Sequence, residues 1–273
     1  MLRRHVLLFS ALVPTRVLAS DFWDEVREPG LIRFRRLIEE ATIALRGRRL
    51  ADVERIATEA LSLLPDRPEP RVLRGLAHAG RGATQSAVED LQAALATEAD
   101  AIGRPWTDQA AAVLVKGGAL EDAADVLARA LRVDAPSRSR DRRFLLLAHV
   151  TLALGRGEAA VDAYRETMRS GQGSPAAWLG LALALRRTDG SRAEADELVA
   201  RAAGALTRPN LLALDPDLPT YEIAAREAIL MEQAGDRLGA QSAWDRAREG
   251  PYSEHARAQS AALQPTPSRR RRR

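Results

Sequence analysis

Small and bulky apolar residues recur along the middle of the chain at a fixed spacing. A Gly or Ala is followed seven residues later by Gly, five after that by Ala, four further on by a large apolar residue, and usually three later by Ala. Four segments keep this order: Gly75, Gly82, Ala87, Leu91 and Ala94; Ala111, Gly118, Ala123, Leu127 and Ala130; Ala148, Gly155, Ala160, Tyr164 and Thr167; and Ala228, Gly235, Ala240, Trp244 and Ala247. Two more fit with defects. In Ala41, Val53, Ala57, Ala60 and Pro65, Arg48 stands where the turn glycine belongs and Gly47 comes one place early. In Trp178, Leu181, Ala182, Gly190, Ala195, Val199 and Ala202, the turn carries one inserted residue. Helical apolar periods on both sides of a glycine predict two helices joined by a tight turn. The closing positions 60, 94, 130, 167, 202 and 247 lie 34, 36, 37, 35 and 45 residues apart, so the pattern predicts six such hairpins.

The marks have physical reasons. Small residues let the two helices of a hairpin approach closely, and the bulky residue fills the gap to the next hairpin. Glycine supplies a turn conformation that is costly for other residues. One hairpin buries too little surface alone, so neighbours must stack to complete a core. Composition points the same way: Ala, Leu, Arg and Glu dominate and only 4% of residues are aromatic, which favours helix over sheet. Cysteine is absent, so there is no disulfide, no thiol nucleophile and no thiolate zinc site.

Over residues 34–252 these marks, with Trp178 at the fourth place of its repeat and Pro65 at a repeat end, resemble the tetratricopeptide repeat family. A Sel1-like helical repeat would share them. The resemblance implies an all-α, right-handed superhelical solenoid of antiparallel helix hairpins, whose inner groove holds a peptide or a partner helix. In that family the second, fifth, ninth and twelfth places of each first helix face inward. Carried onto this chain, they make an expected partner-binding groove from Val72, Leu76, Asp108, Arg142, Leu145, His149, Leu179, Leu183 and Arg186. The family's clamp for a terminal carboxylate uses Lys and Asn, but the only lysine here is Lys116 and the only asparagine is Asn210. An apolar groove edged by Arg142, Arg186 and Arg187 suits an amphipathic helix with acidic flanks instead. The competing reading is packing, because apolar stripes on helices are usually core.

Both ends differ from this body. Residues 1–19 read as a secretory signal: Arg3 and Arg4, an apolar run from Val6 to Val13, then Val17, Leu18 and Ala19 before a cut. Eight apolar residues are too few for a bilayer core of about 30 Å, so cleavage before Ser20 is expected, with an uncleaved anchor as the alternative. Either way the protein is exported, to the periplasm or the exterior. In residues 20–33, Phe22, Trp23 and Val26 share one side of a short helix that Pro29 and Gly30 stop, an expected cap on the first hairpin. An insertion near 207–220, proline-punctuated from Leu211 to Pro219, fills the long spacing as a loop. Residues 253–263 form a helical end, and 264–273 a disordered tail ending in Arg269, Arg270, Arg271, Arg272 and Arg273. Removing the eight positive charges of the two ends from the 41 in the chain leaves 33 against 37 acids, so the body is net −4. The tail suits an anionic membrane surface. Export argues against a nucleic acid partner.

Catalytic signatures do not assemble. Only His5, His78, His149 and His255 are available, no pair has helical metal-ligand spacing, and no zinc-protease glutamate follows. Gly80-Arg81-Gly82 and Gly155-Arg156-Gly157 fall at hairpin turns with no strand before them, unlike phosphate loops. Asp215 and Asp217 lack the further oxygen ligands of a calcium loop. The expected function is therefore an exported, non-enzymatic protein–protein interaction scaffold with no cofactor and no metal. The alternative is an envelope or membrane-surface adaptor held on anionic lipid by its arginine tail.

Overall fold

The paired apolar stripes become paired helices. The computed structural model of the protein describes residues 29–133, 137–169, 173–188, 190–205, 219–250 and 253–264. The hairpins are α1 (Pro29–Arg46) with α2 (Leu50–Leu63), α3 (Glu69–Gly80) with α4 (Thr84–Thr97), α5 (Thr107–Lys116) with α6 (Leu120–Val133), and α7 (Arg138–Ala153) with α8 (Gly157–Arg169). Then come α9 (Pro175–Arg187) with α10 (Arg192–Ala205), and α11 (Thr220–Gln233) with α12 (Arg237–Ala247). A last helix, α13 (Ser253–Leu263), packs on α12, and a 3-10 turn, Arg104–Trp106, leads into α5. No strand occurs among the described residues. Consecutive hairpins stack, α2 on α3, α6 on α7 and α8 on α9. Packing is lightest where the connections are longest, between α4 and α5 and between α10 and α11. The result is the all-α solenoid of stacked hairpins that the spacing predicts.

Five of the six turns are built alike. The backbone N–H of Arg49, Ala83, Ala119, Arg156 and Asp236 donates to the carbonyl five residues earlier, at 2.8 to 2.9 Å, and so caps the first helix of its hairpin. This closure needs a left-handed residue just before the donor. Gly82, Gly118, Gly155 and Gly235 supply it with φ of 77° to 82°. In the first hairpin Arg48 supplies it, at φ 56°, so the defect in the sequence is no defect in the geometry. It carries a cost of roughly 1–2 kcal/mol, because a Cβ crowds the following carbonyl in that region. The fifth turn departs from the pattern: Thr188 is extended, at φ −95° and ψ 163°, which accommodates the inserted residue.

The small and bulky places of the repeat are buried, while its turn glycines are exposed. The small residues Ala41, Gly75, Ala111, Ala148, Ala182 and Ala228, and Val53, Ala87, Ala123, Ala160, Ala195 and Ala240 on the second helices of their hairpins, are all buried. At Gly75 the approach is so close that a Cβ would lie 3.1 Å from the Ala87 carbonyl oxygen. The bulky places, from Ala57 through Leu91, Leu127, Tyr164 and Val199 to Trp244, are fully buried. Apolar packing forms three successive clusters, over α1–α3, α3–α7 and α7–α13.

At the N-terminal end, α1 opens at Pro29, a place where its missing N–H costs nothing. Pro29 and Gly30 thus begin a helix at the point where the pattern predicted a stop. The signal segment 1–19, residues 20–28 of the expected cap, nearly all of the 207–220 insertion and the tail beyond Gln264 lie outside the described residues, Arg269 to Arg273 among them.

Candidate functional site

The inner-face places behave differently in the two halves of the solenoid. In α9, Leu179 and Leu183 are core, and so is His149 in α7. Val72 in α3 is core as well. These four expected groove residues are buried among neighbouring helices. For His149, Leu179 and Leu183 the reason is the close stacking of the last hairpins, which lays α11 against α9; Val72 is covered by the second apolar cluster. Arg186 is tied down too, donating to Glu232 of α11 and Asp196 of α10, both at 2.9 Å. Leu145 is half-buried against the C-terminal cluster. Asp108 and Arg142 are exposed, but the Asp108 carboxylate accepts from the buried Arg143. Of the nine, Leu76 lines the cleft between α1, α3 and α5, and Arg186 lines another beside Leu185 and Gln259.

A polar network closes the C-terminal half. Arg226 of α11, almost fully buried, places Nη2 2.8 Å from His149 Nδ1, donates to Tyr164 Oη at 3.2 Å, and turns Nη1 toward the Ala176 carbonyl at 3.4 Å. The Tyr164 hydroxyl stands 2.6 Å from the same His149 nitrogen. A guanidinium can only donate, so this geometry calls for the Nδ1 lone pair to face it and the imidazole proton to sit on Nε2. Glu222, one helical turn before Arg226, sets its fully buried carboxylate 3.8 Å from the guanidinium. Four hairpin helices, α7, α8, α9 and α11, are thereby bonded together across the place where a groove would run.

The N-terminal half stays open. A cleft of about 430 Å³ lies where α1, α3 and α5 meet, lined by Leu45, Leu50, Leu76, Ala79, Trp106 and Val113, with Gln109, Arg46 and Arg48 at its edge. Trp106 ends the 3-10 turn and packs on both the first and second apolar clusters, so it bridges hairpins one and three. Inward-facing places in the family pattern include Leu45, Leu76 and Ala79. They omit Trp106, Gln109 and Val113, each one place after the expected Pro105, Asp108 and Ala112. A tryptophan beside Pro105 at a helix start was the available signal for that shift.

No protein-family model matches the sequence, and no curated protein matches it. Among solved structures, the chain is similar to pilF of Pseudomonas aeruginosa at 15% identity and TM-score 0.46, over 86% of this chain and 100% of that one. It is similar to a tetratricopeptide repeat protein of Parabacteroides merdae at 14% identity and TM-score 0.47, over 85% and 99%. The described residues fold as a helical repeat of stacked antiparallel hairpins. Its repeat spacing and the burial of the small and bulky places carry that statement residue by residue.

In this solenoid the described histidines are set against neighbouring side chains. His78 Nε2 lies 3.6 Å from Asp90, whose carboxylate accepts from Arg74 at 2.6 and 2.8 Å. His255 of α13 sits edge-on to Trp244, ring centroids 5.5 Å apart, beside Arg186 and Arg187. Burial pushes His255 below the ordinary histidine value, Arg187 and Arg186 push it the same way, and Glu232 opposes them. The unfolded chain therefore binds this proton more readily than the folded one. Stability from His255 is full above the unfolded value of about 6.5 and declines as pH falls below it. Urea midpoints between pH 5 and 8 should show a loss on the acid side that His255→Phe reduces; an unchanged profile in that variant would exclude His255 as the source. Among the described residues no group of three or more His, Asp or Glu is placed to hold a metal, and no helix is long and apolar enough to cross a membrane.

Proposed function

We propose that this protein is an exported, non-catalytic scaffold that holds a peptide or helix of a partner protein in the inner cleft of its first three hairpins. The observation that supports it is the contrast along the inner face. Leu45, Ala79, Trp106 and Val113 leave apolar surface open around a cleft, whereas the corresponding places of α9 are packed shut beneath α11. An apolar cleft with a polar rim is where a partner's apolar side chain loses its water into a preformed pocket. Export rests on Arg3, Arg4 and the apolar run that follows.

A photo-reactive residue placed at Gln109, exposed at the cleft edge, is expected to cross-link a partner protein in intact cells. The same residue at Ala203, exposed on α10, should not. The cross-linked chain should fractionate outside the cytoplasm and begin near Ser20. Equal labelling at both positions would remove the cleft as the site, and a cytosolic product retaining Met1 would remove export.

A further inference from the structure

Arg48 lines the cleft, and it is the one described non-glycine residue with a positive φ. Glycine holds the equivalent place in the four other turns of this type and closes them with the same bond to the carbonyl five residues back. The turn therefore does not require arginine; the backbone is strained to keep it. Strain held at one site of a repeated structure is a reason to look for what the side chain does there. Arginines at the neighbouring turns are engaged within the solenoid, Arg81 with Glu54 and Arg156 with Glu121. Arg48 meets no carboxylate among the described residues, nor does Arg46 beside it at the cleft edge, nor Lys116 one helical turn beyond Val113. Among the described residues no acidic side chain lines the cleft.

We infer that the cleft recognises an acidic amphipathic segment of its partner, seating an apolar side chain against Leu45, Leu76 and Trp106 and carboxylates on Arg46 and Arg48. This rests on the groove reading above and adds the chemistry of the occupant. The apolar lining supplies affinity, while the cations select the sign of the flanking charge and form charge-assisted hydrogen bonds with it. A single-stranded nucleic acid would also meet the cations, but it would find one stacking ring, Trp106, among aliphatic side chains. The lining therefore favours a peptide.

The test uses the full chain and two labelled helical peptides, one built from Leu, Ala and Glu with leucines at i, i+3, i+4 and i+7 spacing, the other with Lys for every Glu. The acidic peptide should bind at least about tenfold more tightly than the basic one, with an affinity that falls as salt rises. Arg48→Gly should raise the thermal midpoint by relieving the turn and yet weaken the acidic peptide about tenfold, as expected for loss of a charge-assisted contact. Higher stability with lower affinity cannot come from misfolding. Gln109→Trp, which fills the cleft, should abolish binding of either peptide. If binding survives Gln109→Trp, the groove reading itself fails. Should Glu and Lys peptides bind equally, or Arg48→Gly leave the acidic peptide untouched, the groove stands and the acidic partner does not. Displacement of the acidic peptide by an equal concentration of single-stranded oligonucleotide would also overturn the assignment to a peptide.

Discussion

Arg226→Met is expected to destabilise the last three hairpins by about 3–5 kcal/mol, the usual result of stranding one member of a buried ion pair. Arg226 and Glu222 have almost no exposed surface, and the guanidinium holds His149, Tyr164 and the Ala176 carbonyl as well. Methionine matches much of the side chain's volume, so the loss reports the charge and its hydrogen bonds more than an empty space. Glu222→Gln added to Arg226→Met should recover a substantial part of the loss, because the glutamine brings no uncompensated charge into the core. Arg226→Lys should rescue poorly, since one ammonium cannot reach the separate acceptors that the planar guanidinium spans. Chemical denaturation followed by circular dichroism, with Trp178 and Trp244 fluorescence reporting this half, measures each variant. A double variant no more stable than the single would show that Glu222 and Arg226 do not depend on each other.

Gly180→Ala should be nearly as severe, at about 3 kcal/mol for forcing one extra methyl into a packed core. A Cβ at Gly180 would stand 2.1 Å from Tyr164 Oη and 2.2 Å from its Cζ. The ring cannot retreat: it is fully buried, and its hydroxyl sits in the Arg226 and His149 network. Overpacking here therefore strikes the same network from the opposite side. Tyr164→Leu in the Gly180→Ala background should recover part of the lost stability by removing the colliding atoms, although it gives up the hydroxyl's bonds. Full tolerance of Gly180→Ala, measured by the same denaturation, would mean that α8 and α9 can move apart and that this half is looser than its packing implies.

Much of the architecture was legible from spacing because each repeat mark has a local cause. A glycine in a left-handed turn and an alanine where two helices touch are decided within one hairpin, and the small and bulky contact places are buried in all six as the pattern requires. Arg48 shows the edge of such reading. As a letter it breaks the pattern; as a conformation it keeps it, because the capping bond from Arg49 to Ala44 holds the turn closed around a disfavoured residue. The groove was less legible. Val72, His149, Leu179 and Leu183 occupy inward places in their repeats, yet whether such a place meets solvent or another helix depends on how neighbouring hairpins stack. Gly180 gave no warning either, since the ring it admits is sixteen residues away on another helix.

The sequence by itself determined that this chain is helical, that its helices pair through short turns, and where those turns fall, because these depend on interactions reaching four or five residues along the backbone. The tertiary structure alone decided which stretch of inner face is open. That depends on the fit between hairpins: α11 reaches α9 and drives Arg226 into a cluster with His149 and Tyr164, closing one half, while the 3-10 turn before α5 brings Trp106 over Leu76 and leaves a cleft in the other. Residues 62 and 77 positions apart along the chain make that choice. Nothing in the repeat period encodes it, because the period describes what the hairpins share, and the cleft arises from what they do not.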